Sequence, residues 1–437
     1  MSPEIIGWLS IAGFLALLTT GMPVSVGLFV SAFIGYWAIR GIEPALAILG
    51  LIPYEEIAKY SFTVVPLFLI MGHFAFFAGF SKDIFSTARR WFGHLPGGLV
   101  QATLAGGAAF GAASGSTLAS CAIFSKIAIP EMLNQGIDRK MAVGAVAAAG
   151  TLATMIPPSI LMVIYGTIAQ QSIGKLLIAG ILPGLIAATC YMAMIFIRVK
   201  LAPNLAPTSE RFTWKDRFSS LRGIWGIGLL AVIVMGGIYT GVFTPTEAGA
   251  VGAFGAFASA LVLRKISWNS LLECLMQTTK TTGSVFLIIV AAFTFGYFMG
   301  ITRIPVHTSE FLINIPVPPV IIIVGIMAFY VLLGTFMDMI AALFLTLPIF
   351  LPAIVKLGYD PIWFGVMMVF MMEVAQVSPP FGLNLFVIKG VVPEVPMAEL
   401  FRAALPVLIT QIFIMAIYIA FPQVALFLPS LMSTATP

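Results

Sequence analysis

The chain has 437 residues, of which 60% are hydrophobic and only 9% are charged, and its mean hydropathy is +1.07. Soluble chains usually carry about 25% charged residues, so the composition excludes a large soluble domain and predicts a polytopic protein embedded in a lipid bilayer. The net charge of +5 comes from basic residues in short loops, as the positive-inside rule requires, and no basic stripe interleaved with aromatics predicts binding to nucleic acid.

Apolar segments of membrane-spanning length fill the first 200 residues. Residues 5–39 contain no Asp, Glu, Lys, Arg or His and are too long for one helix of roughly 20 residues, so residues 21–23 are expected to form the turn between two spans. Further spans are expected over 61–80 and 176–197. The start of the chain lacks a basic segment and a small-residue cleavage site, which favours a retained first span over a signal peptide.

The segment at about 95–130 is apolar but unusually rich in Gly and Ala. It is too long for a simple span and too short for two, so it predicts a re-entrant helical hairpin with its tip at Ser114-Gly115-Ser116. The alternative is one long helix with a small-residue packing face.

The segment at about 141–169 has Pro157-Pro158 at its centre. Proline removes a backbone donor and clashes with the preceding turn, so two prolines in a row predict a broken helix. Freed backbone groups are tolerated in a membrane only where protein or a water-filled cavity satisfies them. The break is therefore a candidate ligand site.

The second half follows the same plan after a polar linker at 201–222. A long apolar stretch there contains a single acid, Asp338, and a later one contains Pro379-Pro380. The expected elements are spans at 223–243, 248–263 and 281–300, a hairpin at about 311–352, a broken helix at about 361–388, and a last span beginning near residue 403.

The two halves form an internal repeat with an offset of 222 residues. Six proline pairs coincide at this offset, where about one is expected by chance, and such self-similarity indicates repeated structural units. The first hairpin tip falls on Phe336-Met337-Asp338. The aligned prolines are Pro23/Pro245, Pro96/Pro318, Pro130/Pro352, Pro157/Pro379, Pro158/Pro380 and Pro207/Pro429.

The repeat is expected to be inverted, because we count five full crossings in each half and an odd number turns the second half upside down. Basic residues flank the first hairpin more densely than the second, which assigns the first to the cytoplasmic side. The resulting fold class is an all-α membrane protein with two inverted repeats, 1–200 and 223–437, joined by a cytoplasmic linker, with both termini on the far side. Inverted repeats with discontinuous helices are typical of secondary transporters.

Oxygen-bearing side chains cluster at both tips and both breaks, and oxygen ligands suit a hard cation. In the first half Ser114, Ser116 and Thr117 are expected to face Thr151, Thr154 and Ser159. In the second half Thr335 and Asp338 are expected to face Gln376, Ser378 and Asn384. Helix N-termini at the breaks favour an anionic substrate. The alternative for each hydroxyl is a bond to its own helix.

Among single residues Asp338 is the clearest candidate, because an intramembrane carboxylate costs roughly 2.5–3.5 kcal/mol and is functional by default. Two interpretations of Glu373 stay open, a similar functional role or a structural pair with Lys389 or Lys280. His73 is interpreted as a bonded packing residue, and Glu247 as an N-terminal helix residue.

These motifs carry a resemblance that covers essentially the whole chain. The chain resembles the large membrane subunit of the tripartite ATP-independent periplasmic (TRAP) transporters. The resemblance implies a sodium-driven elevator transporter in the bacterial inner membrane that imports a small organic acid. It also implies two partners, a periplasmic substrate-binding protein and a separate small membrane subunit. The segments that carry it are GMPVSVGLFVSAFIG, GAASGSTLAS, GTLATMIPPSILMVIYG, GTFMD and EVAQVSPPFGLNLFV.

The resemblance also implies two Na⁺ sites, each where a hairpin tip meets a broken helix. One would use Ser114, Ser116, Thr117, Thr151, Thr154 and the backbone at Pro157. The other would use Thr335, Asp338, Ser378 and the backbone at Pro379. Substrate contacts are expected from Ser114, Gly115, Ser159, Asp338, Gln376 and Asn384. At VAQVSPPFG, Ala375 and Gln376 depart from the family's usual Gly and Leu, which puts the second site's ligand set or the substrate preference in question.

Other functions are less well supported by the residues. A stand-alone anion symporter or exchanger with the same architecture is the alternative within transport. An enzyme is not expected, because the three His are scattered and no base, nucleophile or metal cluster is evident. The three Cys lack metal-ligand spacing, so neither a transition metal nor an organic cofactor is expected.

Overall fold

The computed structural model describes residues 1–207 and 211–432, and every regular element within those ranges is helical. Residues 208–210 of the predicted linker and 433–437 of the predicted second repeat lie outside the described residues. The helices of the first half are α1 (Pro3–Thr19), α2 (Val24–Arg40), α3 (Ile42–Ile57), α4 (Val64–Phe77), α5 (Phe80–Phe92), α6 (Gly98–Ser114), α7 (Thr117–Asn134), α8 (Arg139–Met155), α9 (Ile160–Ile168) and α10 (Ile173–Leu201). The others are α11 (Trp214–Ser220), α12 (Trp225–Thr240), α13 (Pro245–Val262), α14 (Trp268–Thr302), α15 (Ile304–Asn314), α16 (Pro319–Phe336), α17 (Met339–Lys356), α18 (Pro361–Val377), α19 (Leu383–Val391), α20 (Met397–Ala420) and α21 (Gln423–Ser430).

Six helices in the described ranges are long and apolar enough to cross a membrane, and the number rises to eight if each of two bent helix pairs is one span. One of these bent pairs is α8 with α9, which meet at 42°. The helical, many-span architecture expected from the composition is therefore confirmed.

Helix boundaries in the two halves repeat at the offset read from the prolines. Thr117–Asn134 and Met339–Lys356 are 222 residues apart at both ends, and so are Arg139–Met155 and Pro361–Val377. Asp138 and Asp360 act as N-caps at equivalent positions, each accepting hydrogen bonds from backbone amides of the helix that follows. Side-chain oxygens at this position satisfy amides that have no partner inside the helix, so matched caps begin the helices at matched residues.

The segment at 95–130 is a pair of helices, so the alternative of one long helix is wrong. Gly115 adopts a left-handed φ of +58° between α6 and α7, and Ser116 caps α7 by accepting a hydrogen bond from the Ala119 amide at 3.4 Å. The second pair, α16 and α17, separates at Met337-Asp338. It begins at Pro319, later than the expected 311, because the chain up to Asn314 belongs to a separate helix, α15.

Both Pro-Pro pairs interrupt helices as expected. Residues 156–159 separate α8 from α9, and residues 378–382 separate α18 from α19. The long halves of the broken helices are enclosed, since every residue from Met141 to Met155 and from Trp363 to Val377 is buried. A helix that is apolar on all sides is stable where protein surrounds it.

Close backbone approach holds the first broken helix against the first hairpin. A Cβ placed on Gly107 would lie 2.5 Å from the Ala149 Cβ, and one placed on Gly111 would lie 2.4 Å from the Ala153 Cα. Small residues at such positions let helices meet closely in a membrane. The contact places the tip of the hairpin beside the break.

Candidate functional site

The first hairpin tip packs directly on the first helix break. A Cβ on Gly115 would lie 2.6 Å from the carbonyl oxygen of Pro158, and a Cβ on Gly72 of α4 would lie 2.9 Å from the Ser114 Cα. The tip is therefore held between α4 and the break. This is the juxtaposition of tip and break that the repeat predicts for the first half.

Two of the predicted hydroxyls meet between the tip and the broken helix. Thr117, at the start of α7, is hydrogen-bonded to Thr154 near the end of α8. The Thr117 hydroxyl also donates to Oε1 of Glu373 at 2.7 Å. All three side chains are at least 98% buried, so this chain of oxygens joins α7, α8 and α18 in the interior.

The remaining first-half candidates make local or different contacts. The Thr151 hydroxyl donates to the Ala148 carbonyl at 2.8 Å and lies 3.2 Å from the Tyr191 hydroxyl of α10, away from the tip. Ser114 lies 3.4 Å from the Ser120 hydroxyl. Ser159 is fully buried and caps α9. Pro157 is buried in the break itself.

The second tip meets its break through apolar contacts. A Cβ on Gly334 would lie 2.7 Å from the Ala375 Cβ, and the rings of Phe336 and Phe381 are 5.4 Å apart, edge to face. Pro379 is exposed there. The contact depends on Ala375, one of the residues at which this chain departs from the family pattern.

The polar candidates at the second tip bond within their own segments. Asp338 is half-buried and caps α17 by accepting a hydrogen bond from the Ile340 amide at 2.9 Å. The Thr335 hydroxyl donates to the Leu332 carbonyl, and the Ser378 hydroxyl donates to the Val374 carbonyl. These hydroxyl–carbonyl bonds are the common arrangement in membrane helices.

Three buried polar side chains on the second broken helix have unsatisfied atoms. Both amide atoms of Gln376 and of Asn384 lack a hydrogen-bond partner among the described residues, and so does Oε2 of Glu373. Each side chain is at most 1% exposed. Buried polar groups are normally bonded, so exceptions need a physical account.

The structure decides the two interpretations of Glu373 and the interpretation of Glu247. Glu373 does not pair with Lys389, whose Nζ donates to the carbonyls of Pro393 and Val395, nor with Lys280, which is exposed. That pairing is wrong because Thr117 is the partner of Glu373. Glu247 completes a capping box with Thr244, and this confirms its interpretation as an N-terminal helix residue.

A cavity of about 420 Å³ opens at the first hairpin tip. Ser114 and Ser116 line one side. Its other walls come from α4 and α14. They include His73, whose Nδ1 lies 2.8 Å from the Thr278 hydroxyl; this bond confirms the prediction of a bonded packing residue. The polar residues of the α14 wall are Glu273, Gln277 and Thr281.

The α14 wall was not among the sequence candidates. The sequence does carry a signal for it, since QTTKTTGS at 277–284 is a polar interruption before a long apolar run. An adjoining pocket shares Phe76, Phe77, Ala122 and Ile123 with the cavity and reaches Lys82 and Lys126. The tip thus lies near a basic edge of the molecule.

The available donors at the tips and breaks are oxygens. No group of three or more His, Cys, Asp or Glu in residues 1–207 and 211–432 has a geometry able to hold a metal ion. Hydroxyls, carboxylates and carbonyls suit hard cations, whereas zinc and copper favour nitrogen and sulfur ligands. The donor set of the first site therefore fits a hard cation.

Comparison with known proteins places the chain in a family. The profile of the "Tripartite ATP-independent periplasmic transporter, DctM component" matches residues 11–424. The C4-dicarboxylate TRAP transporter large permease protein DctM of Pseudomonas aeruginosa is 36% identical over 86% of this chain and 88% of that protein. The sialic acid TRAP transporter large permease protein SiaM of Vibrio cholerae is 33% identical over 97% and 98%. The ectoine TRAP transporter large permease protein TeaC of Halomonas elongata is 30% identical over 96% and 98%.

Solved structures support the fold. The YdaH transporter of Alcanivorax borkumensis aligns with a TM-score of 0.62 at 13% identity, over 88% of this chain and 90% of that one. The efflux pump MtrF of Neisseria gonorrhoeae aligns with a TM-score of 0.55 at 14% identity, over 98% and 95%. The fold is thus one that membrane transporters use. With a family match over residues 11–424 and relatives of 30–36% identity along nearly their full length, this multi-pass membrane protein belongs to the tripartite ATP-independent periplasmic transporters as a large permease of the DctM type.

Proposed function

We propose that this permease imports a small organic acid anion, driven by a sodium gradient, with the substrate bound in the cavity at the first hairpin tip. The observation that carries the proposal is the meeting of the Ser114–Ser116 tip with the break at Pro158, beside a cavity of about 420 Å³. Cavities of roughly 300–1,000 Å³ are typical of small-molecule sites.

The polar groups at the first hairpin tip suit an anion and a cation together. The N-terminus of α7 begins at the tip with Ser116 as its cap, and helix N-termini favour negative charge. The Thr117–Thr154 pair behind it supplies hydroxyl oxygens for a cation. The second cation site is proposed at Thr335, Asp338, Ser378 and Pro379.

The names of the relatives support the proposed substrate class, an organic acid anion. Relatives are named for C4-dicarboxylates, sialic acid, ectoine and isethionate, all of which bear a carboxylate or a sulfonate. The membership also supports two partners, a small membrane subunit and a periplasmic binding protein that delivers the substrate, and a location in the inner membrane. We include in the proposal the division into two inverted repeats, with both termini on the periplasmic side.

We further infer an elevator movement of the two hairpins and broken helices. The cavity adjoins a pocket that reaches Lys82 and Lys126, which the charge pattern assigns to the cytoplasmic side. This conformation is therefore proposed to release substrate inward. Reversal of access would require the tips to move across the bilayer relative to α4 and α14.

Reconstitution into proteoliposomes tests the function. We expect uptake only when the permease is combined with the small subunit and the loaded binding protein under an inward sodium gradient. Uptake at full rate without sodium would contradict the coupling. Uptake that needs no binding protein would instead support a stand-alone symporter or exchanger.

Asp338→Asn is expected to abolish this uptake, because it removes the carboxylate of the second cation site. Folding should be retained, since Asn is also a good N-cap. Asp360→Asn is the matched control, because Asp360 is an exposed N-cap of α18 that accepts from the Ile362 amide. If Asp338→Asn takes up substrate as well as Asp360→Asn does, Asp338 is excluded from the site.

A further inference from the structure

Glu373 is a buried carboxylate without a cationic partner. It lies on α18 at 0% exposure, and no ion pair within residues 1–207 and 211–432 includes it. An ionised carboxylate in an apolar interior costs several kcal/mol unless it is paired or bonded. A group with that cost inside a membrane is functional by default.

The surroundings of Glu373 supply part of a ligand shell. Its Oε1 accepts the Thr117 hydroxyl at 2.7 Å, and Thr117 is bonded in turn to Thr154. Its Oε2 is buried and has no partner among the described residues. The oxygens of three side chains therefore converge in this cluster, and one acceptor among them, Oε2 of Glu373, has no partner there.

These side chains come from different parts of the repeat. Thr117 belongs to the first hairpin and Thr154 to the first broken helix, whereas Glu373 belongs to the second broken helix, 256 residues from Thr117. Hydroxyl oxygens have two lone pairs and rotate their hydrogen to suit a neighbour. Both threonines can thus turn a lone pair towards a cation held by the carboxylate.

We propose that Glu373 is the acidic ligand of the first cation site, where its carboxylate binds Na⁺ together with the hydroxyl oxygens of Thr117 and Thr154. This inference rests on the proposed sodium-coupled transport and adds to it a ligand from the opposite half of the molecule. The bound cation neutralises the buried charge and satisfies Oε2. It also fastens α18 to the first hairpin, so that the two repeats share one ion.

Sodium-dependent thermal stability of the detergent-solubilised full chain tests the inference without transport. The melting temperature is measured as NaCl replaces choline chloride at constant ionic strength. Wild-type protein is expected to be stabilised by Na⁺, because a ligand that binds only the folded state raises its stability. Glu373→Gln is expected to need at least about tenfold more Na⁺ for half of this stabilisation. The reason is that the binding free energy lost with a charged ligand exceeds the 1.4 kcal/mol that corresponds to a tenfold change in affinity.

The same measurement in choline alone checks folding. Glu373→Gln should melt no lower than wild type there, because the amide oxygen still accepts from Thr117 and the uncompensated charge is gone. Glu394→Gln, an exposed carboxylate between α19 and α20, is the matched control and should keep the wild-type response. If Glu373→Gln does not fold, the Thr154→Val variant tests the site instead. It removes one oxygen ligand and should therefore also weaken the response to Na⁺.

The outcomes separate this inference from the proposed function. If Glu373→Gln, or Thr154→Val in its place, responds to Na⁺ as the wild type does, the proposed role of Glu373 is wrong. The proposal of sodium coupling is not affected by that result. A wild-type protein that does not respond to Na⁺ at all overturns the coupling itself, and with it this site.

Discussion

Gly115 is the residue at which local geometry and the candidate site depend on each other most closely. Its φ of +58° turns the chain between α6 and α7, and the carbonyl oxygen of Pro158 occupies the space where a side chain would begin. Only glycine meets both conditions without strain. The residue therefore fixes how near the tip lies to the break.

Replacing Gly115 with Ala should sharply reduce transport. The left-handed conformation costs an L-residue roughly 1–2 kcal/mol, and a Cβ 2.6 Å from the Pro158 oxygen forces the tip away from the break. Gly136→Ala isolates the conformational cost, because Gly136 has a φ of +75° and its nearest neighbour would be 3.8 Å away. Uptake and melting temperature are measured for both. Equal effects of the two variants would show that the close approach to Pro158 has no role.

Among the elements, α8 is the one around which the first site is built. It packs on both arms of the first hairpin, and its sequence MAVGAVAAAGTLATM contains few side chains larger than valine. Small residues let α6 approach at Gly107 and Gly111 while Thr154 remains within reach of Thr117. The position of the tip thus depends on the packing of this whole interface.

Gly111→Ala should destabilise the hairpin against α8. The added Cβ would lie 2.4 Å from the Ala153 Cα, and overpacking of this kind costs about 1–3 kcal/mol. Gly325→Ala in α16 is the control, since its Cβ would meet nothing within 4 Å. A lower melting temperature is expected for the first variant alone. Unchanged stability of Gly111→Ala would mean that the helices are farther apart than described.

At the scale of the whole molecule, the proposed inverted repeat predicts which helix ends lie on which side of the membrane. Asn134 ends α7 and Lys356 ends α17, at equivalent and exposed positions of the two halves. If the repeats are inverted, these residues face opposite sides of the membrane. The loop charges assign Asn134 to the cytoplasm and Lys356 to the periplasm.

Cysteine labelling from each side tests this assignment. Asn134→Cys is expected to react with a membrane-impermeant maleimide only in inside-out vesicles, and Lys356→Cys only in intact spheroplasts. The wild-type chain provides the background, because Cys121 and Cys274 are buried and Cys190 is half-buried. Labelling of both new cysteines from the same side would exclude an inverted repeat.

The sequence by itself determined the features that depend on local chemistry. The lengths of the apolar segments predicted the spans, and Pro157-Pro158 and Pro379-Pro380 predicted the helix breaks. A single offset related the two halves of the chain. Spans and breaks are predictable because helix breaking and membrane insertion act within about 20 residues. The tip at Ser114–Ser116 was identifiable for the same reason.

Only the tertiary structure decided which of these groups meet. Thr117 with Glu373 joins residues 256 apart, and His73 with Thr278 joins residues 205 apart. Nothing in a span's composition specifies its facing neighbour, so Glu373 was left with two interpretations and the α14 wall of the cavity was missed. Packing between helices turned Thr151 towards Tyr191 and brought Thr154 to Thr117. This arrangement of contacts defines the candidate site.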